Sequence, residues 1–168
     1  AFQTLRAVLF ATMMEPILHQ HRNKIAPEII GNIERGLNIT PPQIFEAERI
    51  RIELFKKILD FFETHDFLIC PAASIAPFPV DQRYVTEIDG KPCETYIDWF
   101  SITFALTMTA CPTISVPCGF TSEGLPVGVQ IMGKPRGEAA LLLVAKRFEQ
   151  AIGISAKLPI TPQKLKLI

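Results

Sequence analysis

The chain has 168 residues, of which 48% are hydrophobic and 20% charged, and its 17 basic residues equal its 17 acidic residues in number. This length and composition suit one globular domain with an ordinary core, and they exclude a disordered or fibrous chain. Formal neutrality without a run of like charge argues against attraction to nucleic acid or to an anionic membrane surface. We therefore expect a small or uncharged partner.

Membrane insertion and metal binding are also disfavoured. No apolar stretch reaches the roughly 18 residues of a membrane-spanning helix, and no signal-peptide pattern precedes the first helix. The four cysteines form no C-x-x-C pair and have no histidine at metal-ligand spacing. We expect reduced thiols, no metal, no cofactor and a cytoplasmic location.

Two helices are predicted in the first 65 residues. Apolar side chains recur at helical spacing over 2–14, and Pro16 is expected to interrupt this pattern because it lacks a backbone donor. The second helix begins after Thr40, where Thr-Pro-Pro-Gln supplies an N-cap hydroxyl, a proline at the first helical position and Gln43 for a capping box. It should run to about His65 and pack on a sheet. Its apolar face comprises Ala47, Ile50, Leu54, Ile58 and Phe61.

A strand and a long loop follow. Residues 67–70, FLIC, form a short apolar run that predicts a strand buried on both faces. A helix followed directly by such a strand indicates an α/β fold. From 71 to 92 the prolines and glycines predict an irregular excursion over the surface, and long loops of this kind often wall a binding site.

The last part of the chain combines a helix, a hairpin and another helix. Helical spacing of apolar residues predicts a helix over 95–109, and 114–116 and 127–131 are predicted as two strands with a Gly/Pro-rich connection. Gly128 would mark a close backbone approach. Residues 138–152 predict an amphipathic helix, ended by Gly153. Its inward face would comprise Leu141, Val144, Phe148 and Ile152.

Three motifs within these elements occur in a specific order. They are FETHDFLICPAA at 62–73, CPTISVPCGFTSEGLPVGVQIMG at 111–133 and GKPRGEAALLLVAKRFEQAIG at 133–153. In order and spacing they resemble the C-terminal half of an amidase-signature hydrolase. The resemblance implies an α/β fold in which a central mixed β-sheet is covered by α-helices. It also implies that 1–168 is the C-terminal portion of a single domain, whose N-terminal catalytic part is absent from this sequence.

The resembling family hydrolyses amides with a Ser, cis-Ser, Lys triad on a run rich in Gly, Ser and Ala. A hydroxyl needs a partner that accepts its proton, and a glycine-rich loop brings backbone N–H groups to the oxyanion. No such run occurs here, and we assign no catalytic residue to this chain. Its serines are all isolated: Ser74, Ser101, Ser115, Ser122 and Ser155.

A substrate site is expected at Asp98, Trp99 and Phe100, which precede the signature strand where the resembling enzymes line their acyl-binding cleft. An acidic group beside two aromatic rings suits a site that buries an acyl or aryl group and orients an amide N–H. Phe78, between prolines in the long loop, is a further candidate. The alternative is that the aromatic residues are core or pin a loop, and that Asp98 is a charge at a helix N-terminus.

The resulting hypothesis is an amidase that hydrolyses a small or aryl carboxamide through an acyl-enzyme, with this part forming one wall of the cleft. Its expected partners are the amide substrate and the missing half of the fold, and a homodimer is left open. Three alternatives stay open. They are a subunit of an amidotransferase, a non-catalytic module that binds a partner chain, and a thiol hydrolase using Cys111 or Cys118 with His19, His21 or His65.

Overall fold

A computed structural model describes residues 1–154, which include helices, short 3-10 turns and strands. The α-helices are α1 (Phe2–His21), α2 (Pro27–Leu37), α3 (Pro41–Thr64), α4 (Ser101–Thr107) and α5 (Glu138–Ile152). The strands are β1 (Phe67–Pro71), β2 (Glu87–Ile88), β3 (Lys91–Pro92), β4 (Thr113–Phe120) and β5 (Pro126–Gly133). Ser155 and the end of the predicted 1–168 domain lie outside the described residues.

The main sheet has three antiparallel strands in the order β1-β5-β4, and α5 packs on β4 and β5. Its core contains Ile131, Val116, Leu141 and Ala145. The α/β class and the strands of the predicted hairpin are confirmed. The prediction that β1 is buried on both faces is wrong, because β1 is an edge strand among the described residues and Ile69 is 54% exposed.

The first helix continues to His21, so the predicted interruption at Pro16 is wrong. Proline removes one helical hydrogen bond, which costs about 3 kcal/mol in a helix interior. Beyond it, Leu18 is only 5% exposed, and burying that side chain helps to offset the cost. His19 and His21 consequently form the exposed last turn of α1 instead of a loop.

Helix α3 begins with the predicted capping box: the Thr40 backbone N–H donates to Gln43 Oε1 at 2.9 Å. It ends at Thr64, as expected. Its predicted packing on a sheet is wrong, because α3 lies mainly against α1. Only part of the predicted apolar face is covered: Ala47 is buried, whereas Ile50 is 43% exposed.

The remaining elements follow the predicted order with different bounds. The long loop contains the small hairpin β2–β3, whose turn residues Asp89 and Gly90 both have positive φ, at 50° and 71°. Such a pair is typical of a type I′ turn. The helix predicted over 95–109 is reduced to a 3-10 turn, Asp98–Phe100, and α4. Helix α5 ends at left-handed Gly153 as predicted, but Ile152 is exposed rather than inward.

Helices α1 and α2 meet at unusually small residues. Ala7 and Ala11 are buried on α1, and a Cβ built on Gly36 of α2 would lie 2.0 Å from the Ala7 carbonyl oxygen and 2.8 Å from Ala11 Cβ. The backbones therefore approach closely because Gly36 has no side chain. No helix among residues 1–154 combines the length and apolarity needed to cross a bilayer.

Replacing Gly36 by Ala is expected to destabilise the protein by about 1–3 kcal/mol or more, because the new methyl group would collide with the α1 backbone. Gly31→Ala on the same helix is the matched control. It meets nothing within 4 Å and should stabilise by about 0.5–1 kcal/mol through helix propensity. Denaturant unfolding of both variants tests this, and equal shifts in the two would contradict the close contact.

Candidate functional site

The predicted site residues lie on and beside the 3-10 turn Asp98–Phe100. The turn is held by the Asp98 carboxylate, which accepts hydrogen bonds from the Thr95 backbone N–H at 2.7 Å and from Thr95 Oγ1 at 2.6 Å. A hydrogen bond also fixes Trp99: its indole Nε1–H donates to the Tyr96 carbonyl oxygen at 3.0 Å. The local sequence thus fixes the direction in which the indole points.

Trp99 and Phe78 meet edge to face, with ring centroids 5.5 Å apart. Together they border a cavity of ≈ 420 Å³, here called the apolar cleft. The loop after β1 and the start of β5 form its other walls. The apolar cleft is lined by Pro71, Ala72, Ala73, Ser74, Ile75, Ala76, Pro77, Phe78, Trp99, Pro126, Val127 and Gly128.

Hydrogen bonds to the end of β1 hold the loop wall in place. The Ala72 N–H donates to the Gly128 carbonyl at 3.0 Å, and Thr103 Oγ1 donates to the Ala72 carbonyl at 2.9 Å. Gln130, which is 4% exposed, donates through Nε2 to the Pro71 carbonyl at 3.0 Å. These bonds tie the loop to both β5 and α4.

Gly128 is confirmed as a point of close approach. A Cβ there would lie 3.3 Å from the Val116 carbonyl oxygen and 3.5 Å from Ala72 Cβ. Sequence reasoning missed Gln130, although a polar residue inside the run VGVQIMG was the available signal. A buried polar side chain in a strand usually makes hydrogen bonds to other protein groups.

Phe100 does not line the apolar cleft. Its ring packs edge to face on Trp99 at 5.0 Å, and the two line a neighbouring cavity of ≈ 410 Å³. Phe100 also lies 6.2 Å from Phe104, which stacks on Phe2 of α1. The structure therefore brings Phe78 and Trp99 together and places Phe100 behind them.

Asp98 also lies outside the apolar cleft's lining. Besides its bonds with Thr95, it accepts a hydrogen bond from Gln3 Nε2 at 3.1 Å, which ties the turn to α1. Burial raises the pKa of the carboxyl group, but the hydrogen bonds from Thr95 and Gln3 outweigh it and leave the pKa below its ordinary value of 3.8. A role for Asp98 toward substrate stays a prediction.

The arrangement gives little support to a thiol nucleophile. Cys111 Sγ contacts the Thr109 carbonyl at 3.7 Å, and Cys118 lies within β4. The His65 ring stacks on Phe61, and its Nδ1 lies 2.9 Å from Thr64 Oγ1. Cys70 is a poor nucleophile as well. Burial raises the pKa of its thiol more than the hydrogen bond with Gln130 lowers it, and a raised pKa disfavours the thiolate.

Metal-ligand geometry is likewise missing from residues 1–154, where no group of three or more His, Cys, Asp or Glu could hold a metal ion. His19 and His21 are two positions apart on α1. At 3.6 residues per turn, side chains with this spacing point to different sides of the helix.

Comparison with known proteins gives a consistent result. A family model described as Amidase matches residues 8–142. A glutamyl-tRNA(Gln) amidotransferase subunit from Alkaliphilus metalliredigens is 27% identical over 92% of this chain and 31% of its own length. The acylamidase of Rhodococcus erythropolis is 32% identical over 76% of this chain and 27% of its own length. This chain thus spans about a third or less of the curated relatives that it matches.

A solved structure supports the same fold. A bacterial aryl acylamidase described as belonging to the amidase signature enzymes superposes with a TM-score of 0.78 at 23% identity. The match covers 89% of this chain and 32% of that one. At this identity the likeness shows the fold.

Asp98 should make stability depend on pH in the acid range. The pKa of the Asp98 carboxyl group is lower in the folded state than in the unfolded state, so its ionised form stabilises the fold. This contribution is fully present at pH values above the unfolded-state pKa. It is lost as the pH falls through the folded-state pKa. Asp98→Asn should therefore be less stable than the parent at neutral pH, and the difference should shrink below about pH 4. Denaturant unfolding across this range measures it.

The control is Asp60→Asn, on the exposed side of α3, which should not alter this dependence. If the difference between Asp98→Asn and the parent were the same at every pH, the proposed effect of the Asp98 hydrogen bonds would be refuted.

Proposed function

Because the chain belongs to the amidase signature family, whose members are amide hydrolases, we propose that it is part of an amidase acting on a small or aryl carboxamide. In this proposal the chain forms one wall of the substrate cleft. The products are a carboxylate and ammonia or an amine. The observation that carries the proposal is the apolar cleft bordered by Phe78 and Trp99.

The lining of the apolar cleft supports an acyl or aryl group as its occupant. Alanine, proline, isoleucine and valine side chains form most of its walls, and the two aromatic rings close one side. Such surfaces favour apolar groups, while a few polar groups orient the ligand. Backbone groups of the loop after β1 would serve that purpose, because Gln130 and Thr103 hold the loop carbonyls in fixed positions.

The proposed chemistry follows the Ser, cis-Ser, Lys route of the resembling enzymes. The serine oxygen attacks the amide carbonyl, the C–N bond breaks, and the leaving nitrogen takes a proton. Water then attacks the resulting ester, which releases the carboxylate and restores the serine. No residue of this chain is assigned to these steps. The chain's proposed part is to position the acyl group, a task that contributes to rate through orientation.

We further propose that residues 1–168 are the C-terminal portion of one domain, completed by the rest of the amidase fold. The β1 edge bears the exposed Ile69, and α1 exposes Leu9, Met13 and Ile17 at helical spacing. Within residues 1–154, an open strand edge and an exposed apolar stripe both favour a covering partner. We also propose a homodimer and a cytoplasmic location.

An amidotransferase component is the second candidate function. The relative from Alkaliphilus metalliredigens, which matches 92% of this chain, is one. The two functions differ in the fate of the nitrogen that leaves the amide: an amidase releases it, whereas an amidotransferase passes ammonia from glutamine to a second, activated carboxyl group. Incubating the whole protein with an aryl amide, and separately with glutamine, would distinguish them: an amidase cleaves the aryl amide, whereas an amidotransferase component releases ammonia from glutamine.

The non-catalytic module is the third candidate. It predicts that the whole protein binds a partner chain through the β1 edge and turns over no amide. The thiol hydrolase predicts that alkylation of Cys111 or Cys118 abolishes activity. Under the amidase proposal, thiol alkylation leaves the nucleophile intact.

Phe78→Ala tests the role of the apolar cleft in the whole protein. Removing the ring should lower kcat/KM for an aryl amide such as 4-nitroacetanilide by about tenfold, because about 1.5 kcal/mol of apolar contact is lost. Release of 4-nitroaniline is the readout. Val80→Ala is the matched control, since Val80 lies two residues along the same loop and is fully exposed. Equal activity in the two variants would contradict the assignment.

A further inference from the structure

Trp99 lines two cavities at once. On one side it borders the apolar cleft, and on the other it borders the neighbouring cavity of ≈ 410 Å³, here called the rear cavity. Among residues 1–154, Trp99 is the one residue that these two cavities share. The indole therefore stands between them.

The rings that pack on the indole show the same division. Phe78 meets it edge to face at 5.5 Å and lines the apolar cleft but not the rear cavity. Phe100 meets it edge to face at 5.0 Å and lines the rear cavity but not the apolar cleft. A chain that extends through the apolar cleft toward the rear cavity would thus meet the indole.

The indole is fixed in this position. Its Nε1–H donates a hydrogen bond to the Tyr96 carbonyl oxygen at 3.0 Å, and the Asp98 carboxylate holds the turn that carries it. Rotation of the indole out of the way would break the Nε1 hydrogen bond and both edge-to-face contacts. The two cavities are therefore separated by a fixed partition and not by a freely swinging side chain.

The rear cavity has walls that suit a hydrocarbon chain. Its charged neighbours are already engaged, since Glu28 pairs with Arg83 at 2.8 Å and Arg6 donates a hydrogen bond to the Tyr96 hydroxyl oxygen. Apolar and aromatic side chains form most of the remaining lining, and such surfaces bury methylene groups favourably. They are Ala26, Ile29, Tyr84, Tyr96, Ile97 and Phe100.

We propose that Trp99 determines the length of the acyl group that the protein accepts, because its indole closes the apolar cleft against the rear cavity. The protein consequently favours amides of compact acyl groups over amides of long straight chains. This inference rests on the proposed amidase function, since it names the substrate class for the same cleft. It concerns the shape of that cleft, so binding alone can test it.

The chain-length preference of the whole protein is the first readout. Trp99→Ala should raise the ratio of kcat/KM for octanoyl-4-nitroanilide to kcat/KM for 4-nitroacetanilide by at least about tenfold, measured as release of 4-nitroaniline. The reason is that two or more methylene groups would enter the rear cavity, and each buried methylene contributes about fourfold. A merely structural defect would lower both rates without raising this ratio.

Binding without reaction is measured with 2-pentanone and 2-nonanone, ketones that carry the butanoyl and octanoyl chains but no bond to nitrogen. Saturation-transfer NMR on their terminal methyl groups gives the two dissociation constants. Trp99→Ala should lower the Kd of 2-nonanone relative to that of 2-pentanone by at least about tenfold. If this shift occurs while neither anilide is cleaved, the amidase function fails and the partition stands.

Three further variants test whether the effect is steric. Trp99→Phe keeps a ring between the cavities and should restore most of the parent's preference. Ile29→Trp fills the rear cavity, so it should cancel the gain of Trp99→Ala and should leave both ratios unchanged in the parent. Trp99→Leu, with the same expected direction, replaces the alanine variant if circular dichroism shows that Trp99→Ala is not folded.

An unchanged ratio of ketone affinities in the folded variant overturns the proposal. So does a gain that survives Ile29→Trp, because the longer chain would then lie outside the rear cavity. A shift caused by Ile29→Trp in the parent would also overturn it, since the chain would already pass the indole. Failure of Trp99→Phe to reduce the gain would refute the role of the ring as a partition.

Discussion

The hydrogen bonding of β5 on both of its edges is the constraint on which the other features depend. β5 pairs with β1 on one side and β4 on the other, so its backbone groups are satisfied only when all three strands are in register. Its buried Ile131 joins the sheet to α5. Gln130 and Gly128 of the same strand hold the loop after β1 at the apolar cleft. The core and the cleft wall are therefore built on one strand.

The segment before α4 connects α1 to the apolar cleft. The Tyr96 hydroxyl oxygen accepts a hydrogen bond from Arg6 of α1, while Trp99, three residues later, borders the apolar cleft. The carboxylate of Asp98 keeps this segment in a turn and ties it to Gln3 of α1. These hydrogen bonds couple the position of α1 to the position of the Trp99 indole.

The sequence predicted the elements whose boundaries are set by local chemistry. The capping box at Thr40 and the left-handed glycine at Gly153 both lie where their side-chain chemistry requires. Predictions that depended on what an element packs against failed. Pro16 does not end α1, because burial of Leu18 beyond it favours continuation. β1 has an open outer edge, because no strand within residues 1–154 pairs with it there, and its Ile69 is 54% exposed. Helix α2 was missed, although Pro27 at its first turn was a usable signal.

By itself the sequence determined the α/β class, the family resemblance and the aromatic residues near the signature strand, because these follow from periodicity, turn residues and motif order. Only the tertiary structure decided which of those residues share a cavity: Phe78 and Trp99 meet across 21 positions, while Phe100 packs behind them. It alone showed the pairing of Arg6 with Asn32, 26 positions apart, and the amide donor left unsatisfied there. Such contacts join segments distant in sequence, and no local propensity encodes the distance between them.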